Sequence, residues 1–145
     1  MIIYEHIESE NGQWYLTLQD DGNLVGYSNE DHKPFFATNT SCYNPDFYFR
    51  YACMRQVFLD MQDDGNLVLY MSSTVPVWCT NTHNQGIEPY QVKMQNDRNI
   101  VLTDSNNTIL WASNTTIENN STNTTNATLN ETCNVTNTTN TTGFN

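Results

Sequence analysis

Three segments of this chain align without gaps, and that repetition constrains the fold more than any other feature. They are Gln19-Asp-Asp-Gly-Asn-Leu-Val-Gly-Tyr27, Gln62-Asp-Asp-Gly-Asn-Leu-Val-Leu-Tyr70 and Gln95-Asn-Asp-Arg-Asn-Ile-Val-Leu-Thr103. Their starts lie 43 and 33 residues apart. A second signature trails each one: Phe36-Ala-Thr-Asn-Thr40, Trp78-Cys-Thr-Asn-Thr82 and Trp111-Ala-Ser-Asn-Thr115. Its aromatic follows the Gln by 17, 16 and 16 residues. Two phased signatures in three copies call for three equivalent units around one shared core. The additional residues between repeats one and two fall around Cys42 to Arg55.

Each repeat reads as a β-hairpin, because Asp-Gly between alternating apolar runs is a strong hairpin signal. Two registers compete. A two-residue loop pairs Asp20 with Asn23, whereas a three-residue loop, Asp20-Asp21-Gly22, pairs Gln19 with Asn23 and gives Gly22 the left-handed position. The apolar pattern favours the three-residue loop. One face then carries Trp14, Leu16, Leu18 and Leu24; Val57, Leu59, Met61, Leu67 and Leu69; and Tyr90, Val92, Met94, Ile100 and Leu102. That is a core face in every repeat. The opposite face carries Gln19, Asn23, Val25 and Tyr27, with Thr17 opposite Val25.

Composition is uneven along the chain. Hydrophobic residues make up 37%, below the ~45–50% of an average globular protein. From Thr115 to Asn145, 21 of 31 residues are Asn or Thr and none is Lys or Arg. Such a segment buries too little apolar surface to offset its ordering entropy, so residues 116–145 are expected to be a disordered, low-complexity tail after a domain at 1–115. The formal charge of the whole chain is −11, which disfavours nucleic acid and anionic membrane as partners. No apolar run approaches the ~20 residues of a membrane span, so no membrane insertion is expected. No signal peptide is visible after Met1, which points to the cytoplasm. The tail sequons at Asn119, Asn120, Asn123, Asn126, Asn130, Asn134, Asn137 and Asn140, with Asn39, Asn106 and Asn114 in the body, point instead to a secreted or cell-surface glycoprotein if they are used.

The polar face offers a carboxylate, two amides and a phenol around one β-branched residue. Vicinal sugar hydroxyls match that set, since each donates and accepts while ring C–H groups pack on the Val. The facing carboxylate pair of glycoside hydrolysis is missing, and His6, His32 and His83 occupy no repeated position. The site is built to bind, and an enzyme is not expected.

Gln-x-Asp-x-Asn-x-Val-x-Tyr in three copies, with the trailing aromatic-x-x-Asn-Thr, resembles the bulb-type (monocot mannose-binding) lectin family over residues 1–115. The resemblance implies an all-β fold, the β-prism II of three four-stranded antiparallel sheets with the trailing aromatics at its centre. It implies that Gln19, Asp21, Asn23 and Tyr27 bond α-mannose hydroxyls and that Val25 touches ring carbons. The same roles fall to Gln62, Asp64, Asn66, Val68 and Tyr70. It implies no metal and no cofactor, with mannose-containing glycans or glycoproteins as partners. Family members often pair as homodimers, which is left open here. A second reading is a structural or tethering protein whose sugar sites are weak or silent. The intracellular relative comitin is similar in joining such a domain to a low-complexity tail.

Repeat three departs from the pattern. Thr103 replaces Tyr, Arg98 takes the left-handed turn position at a cost of ~1 kcal/mol, and Lys93 faces Val101. Gln95, Asp97, Asn99 and Val101 remain, so a weaker third site is expected. The four cysteines form no C-x-x-C. Cys42 and Cys53 bracket an insert rich in Tyr and Phe. Either a disulfide closes it in an oxidising compartment or the thiols stay free. Family members carry a bridge in that region at a different spacing. Cys79 is expected to alternate outward after Trp78, with Cys133 alone in the tail. The insert itself is expected to be an apolar flap on the prism.

Overall fold

A computed structural model describes residues 5–43, 57–72, 75–117, 125–126 and 133 of the chain. All its regular elements are strands: β1 (His6–Glu8), β2 (Trp14–Leu18), β3 (Leu24–Ser28), β4 (Pro34–Ala37), β5 (Phe58–Met61), β6 (Leu67–Tyr70), β7 (Pro76–Cys79), β8 (Gln91–Met94), β9 (Ile100–Thr103), β10 (Ile109–Ala112) and β11 (Thr125–Asn126). They form three sheets, ordered β1-β2-β3-β4-β11, β5-β6-β7 and β10-β9-β8. All pairs are antiparallel except β11 on β4.

The hairpin register is the three-residue one. Leu18 pairs with Leu24 and Thr17 with Val25; Met61 pairs with Leu67; Met94 pairs with Ile100 and Lys93 with Val101. Gln19 N donates to the Asn23 carbonyl, Gln62 N to that of Asn66 and Gln95 N to that of Asn99. Gly22 and Gly65 share φ 86° and Arg98 has φ 78°. A slip of one residue would send every leucine to the wrong face.

The expected core faces meet in one apolar cluster, with Leu16, Leu18, Leu24, Leu59, Leu69, Ile100 and Leu102 at its heart and Trp14, Tyr90 and Val92 at its margin. The trailing aromatics fill the axis: Trp111 packs edge-on against Phe36 and Trp78, with ring centroids 6.1 and 5.6 Å apart. This is the three-sided β-prism.

Four strands are expected in each sheet. The first sheet has four antiparallel strands with β11 added in parallel, and the other two have three each among the described residues. Before β8 the chain turns through Asn84 and Gly86, both with positive φ, and then Pro89, which has no N–H to give a ladder. The aromatic insert falls on residues 44–56, outside the described residues.

The cysteines differ from expectation too. Cys79 is bonded to Cys133, 54 residues away, so Cys133 does not stand alone. Cys79 does face away from the core that holds Trp78. Cys42 is also disulfide-bonded; Cys53 lies outside the described residues.

Candidate carbohydrate site

Each motif sits where a hairpin loop meets its second strand, and the loop holds its own shape. Asp21 Oδ1 accepts from Asn23 N at 3.0 Å, Asp64 Oδ1 from Asn66 N at 3.0 Å and Asp97 Oδ1 from Asn99 N at 3.0 Å. These are Asx turns, which aspartate makes with the backbone two residues on. Every loop also accepts a bond on its Asp carbonyl, from Cys42 N, Asn84 N and Ile117 N respectively.

The trailing Thr-Asn-Thr completes the loop. Asn23 Oδ1 accepts from Thr38 Oγ1 at 3.1 Å and from Thr40 N at 3.3 Å. Thr40 Oγ1 donates to the Gly22 carbonyl at 2.7 Å. Repeat two reproduces this with Thr80, Thr82, Asn66 and Gly65. Repeat three does so with Ser113, Thr115, Asn99 and Arg98. The central residues Asn39, Asn81 and Asn114 have φ of 57°, 56° and 55°, the left-handed region that asparagine tolerates better than most residues. The role of these hydroxyls was missed from the sequence, although their strict phase with the Gln motif was the available signal.

Across the valine, Gln19 Nε2 donates to Tyr27 Oη at 2.9 Å, and Gln62 Nε2 to Tyr70 Oη at 2.9 Å. Each tyrosine stacks on a cross-strand aromatic. Tyr15 lies on Tyr27 with centroids 5.4 Å apart, and Phe58 lies on Tyr70 at 5.1 Å. Tyr15 and Phe58 were not singled out from sequence. Burial raises the phenol pKa of Tyr15, helped by Tyr27. Burial also raises that of Tyr70, opposed by the Gln62 bond and helped by Asp60 and Asp64. In repeat three the same register places Gln91 beside Thr103, so neither ring exists.

The structure therefore gathers Gln19, Asp21, Asn23, Val25 and Tyr27 on one face, and Gln62, Asp64, Asn66, Val68 and Tyr70 on another. Gln95, Asp97, Asn99 and Val101 gather without a phenol. Val25 is only 3% exposed, which limits its apolar contact with a ring in this state. A cavity of about 470 Å³ runs along β8 and takes in Gln95, but not Asp97, Asn99 or Val101. Among the described residues, no three His, Cys, Asp or Glu side chains cluster as metal ligands would.

A β-prism whose every side repeats one polar loop motif defines a lectin fold, and solved structures agree. A monocot mannose-binding lectin from Gastrodia elata is 30% identical, matching 81% of this chain and 97% of its own with a TM-score of 0.59. The mannose-specific agglutinin from snowdrop bulbs (Galanthus nivalis), complexed with methyl-α-D-mannoside, is 31% identical over 81% of this chain and 97% of its own, with a TM-score of 0.50. Polygonatum cyrtonema lectin, complexed with monomannoside, is 25% identical over 78% and 87%, with a TM-score of 0.54. No protein-family model matches the chain, and neither does any curated protein sequence. The chain belongs to the monocot mannose-binding, or bulb-type, lectin family.

Proposed function

We infer that the chain is a non-catalytic lectin that takes α-mannose residues of glycans through Gln19, Asp21, Asn23, Val25 and Tyr27, and through the matching set Gln62, Asp64, Asn66, Val68 and Tyr70. The balance of functional groups at the first site carries this reading. The Asn23 oxygen is committed to Thr38 and Thr40, so its amide N–H groups face outward. Tyr27 Oη accepts from Gln19, which leaves its O–H to donate and Gln19 Oε1 to accept. Asp21 uses one oxygen on the loop and offers the other. Two donors and two acceptors on rigid strands suit a pair of neighbouring hydroxyls, each of which gives and takes one bond. The Gastrodia and snowdrop lectins, described as mannose-binding and mannose-specific, and the mannosides bound to the snowdrop and Polygonatum lectins support the choice of sugar.

Gln95, Asp97, Asn99 and Val101 make a weaker third site, since Thr103 brings no phenol. Three or four hydrogen bonds of ~0.5–1.5 kcal/mol each leave little after association costs, so one monosaccharide binds near ~1 mM. Combining Asp21→Asn with Asp64→Asn keeps an oxygen for each loop bond and turns the outward acceptor into a donor. Retention on mannose-agarose should be lost, and unchanged retention refutes the site assignment. A glycan array of the intact chain that lights up no mannose-terminated glycan refutes the ligand.

A further inference from the structure

The first two motifs are equal in sequence but unequal in access, and the difference lies at Cys79. In the register of β6 and β7, Cys79 stands directly across from Val68. The equivalent partners of Val25 and Val101 are Ala37 and Ala112. Two repeats thus have a methyl group beside the site valine, and one has a sulfur that carries Cys133. Cys133 packs on a small cluster of Val68, Tyr70, Cys79 and Phe58, separate from the main core. Those are the apolar contact, the phenol and the stacking ring of the second site.

Burial follows. Tyr70 is 8% exposed and Asn66 0%, whereas Tyr27 and Asn23 are half-buried. Asp64 and Asn66 are engaged in further interactions beyond the loop bonds they share with the other repeats. Gln62 Oε1, the counterpart of the acceptor offered by Gln19, is sealed from solvent and has no hydrogen-bond partner among the described residues. A buried acceptor without a donor is unfavourable.

We propose that the Cys79–Cys133 disulfide closes the second sugar site, so that the oxidised chain presents one open motif of full composition and the reduced chain two. The word "sugar" rests on the lectin reading; the closure does not. Reduction by a dithiol breaks the S–S bond, gives each sulfur one electron and one proton, and leaves the dithiol as its own disulfide. Two accessible sites can bridge separate glycans where one cannot. Oxidation state thereby sets how many sites of full composition the chain presents.

The test uses Cys133→Ser, which opens this bridge and leaves the one at Cys42 intact. Nitration by tetranitromethane reads tyrosine access without any sugar. Tyr70 should react far more slowly than Tyr27 in the oxidised chain and approach the Tyr27 rate in Cys133→Ser; equal Tyr70 rates in the two chains overturn the closure. Titration with methyl-α-mannoside in a background of Asp21→Asn and Asp97→Asn, which disables the first site and the weaker third one, reads the second site itself. No binding is expected with the bridge intact, and binding should appear when Cys133→Ser is added. Binding by the Asp21→Asn, Asp97→Asn chain with the bridge intact overturns the proposal. Freed Tyr70 with no mannoside binding in any chain, including wild type, upholds the closure and counts against the lectin reading.

Discussion

At the residue scale the decisive atoms are three buried threonine hydroxyls. Thr40, Thr82 and Thr115 each donate to the carbonyl of the left-handed turn residue, at 2.7, 2.7 and 2.8 Å. Each also gives its backbone N–H to the motif asparagine. They hold the oxygen of that asparagine toward the trailing segment, and so keep its amide N–H groups for the other side. Thr40→Val keeps the shape and deletes the hydroxyl. The buried Gly22 carbonyl then lacks its donor, and the fold should lose about 1–3 kcal/mol, read as a lower urea midpoint. Gly65→Ala should cost at least the ~1–2 kcal/mol of the left-handed region. A Cβ at Gly65 would also lie 2.8 Å from the Tyr90 ring and 2.9 Å from the Gln85 carbonyl, and a carbonyl cannot step aside as a flexible side chain does.

At the scale of the hairpin, the motif tyrosine works as half of a stacked pair. Thr103→Tyr alone gives repeat three a phenol with Gln91 beside it in place of a ring. Adding Gln91→Tyr recreates the Tyr15–Tyr27 arrangement. Calorimetric titration with methyl-α-mannoside should show stronger binding at the third site for the double variant than for either single one, because an oriented phenol loses less freedom on binding. The same hairpins show how far sequence could be read. Asp-Gly flanked by alternating leucines set the register, since any other pairing exposes the core face. The five motif positions then fell on one face by alternation alone. Tyr15 and Phe58 were less legible because their role depends on register across the strand pair rather than on spacing within the motif. The Thr-Asn-Thr trailer repeats in plain view, but its bonds to the hairpin span 13 to 18 residues and close only once the third strand is in place. Cys79 and Cys133 carried no pairing signal, because a separation of 54 residues says nothing about which face a sulfur occupies. The first sheet's four antiparallel strands matched the family pattern, whereas the stretch before β8 breaks at Asn84, Gly86 and Pro89.

Over the whole molecule, each turn residue docks on the repeat that follows. Gly22 lies against Val57 and Met71, and Gly65 against Tyr90. Arg98 closes the circuit by returning to repeat one, its guanidinium 5.9 Å from the Trp14 ring centroid and 5.5 Å from that of Phe35. Its Nε donates to the Thr115 carbonyl at 2.8 Å, while Trp14 Nε1 donates to the Asn96 carbonyl at 3.1 Å. What looked in sequence like a strained departure from glycine is the joint between the last unit and the first. The rings at or near these joints and sites also set the response to base. Tyr15, Tyr70 and Tyr90 all have pKa values raised above 10.0, chiefly by burial. The fold therefore favours their neutral forms. This stabilisation is complete below about pH 10 and is lost as pH rises through the folded values, so the urea midpoint should fall on the alkaline side. Arg98→Ala removes a charged hydrogen bond and two ring contacts while keeping the positive φ, and should cost about 2–3 kcal/mol. Arg98→Gly loses the same contacts but relieves about 1 kcal/mol of backbone strain, and should fall between Ala and wild type. Lys33→Ala, which breaks the exposed ion pair with Asp31, should barely move the midpoint. If Arg98→Ala were as mild as Lys33→Ala in urea titrations of the intact chain, the three units would not depend on this joint to close.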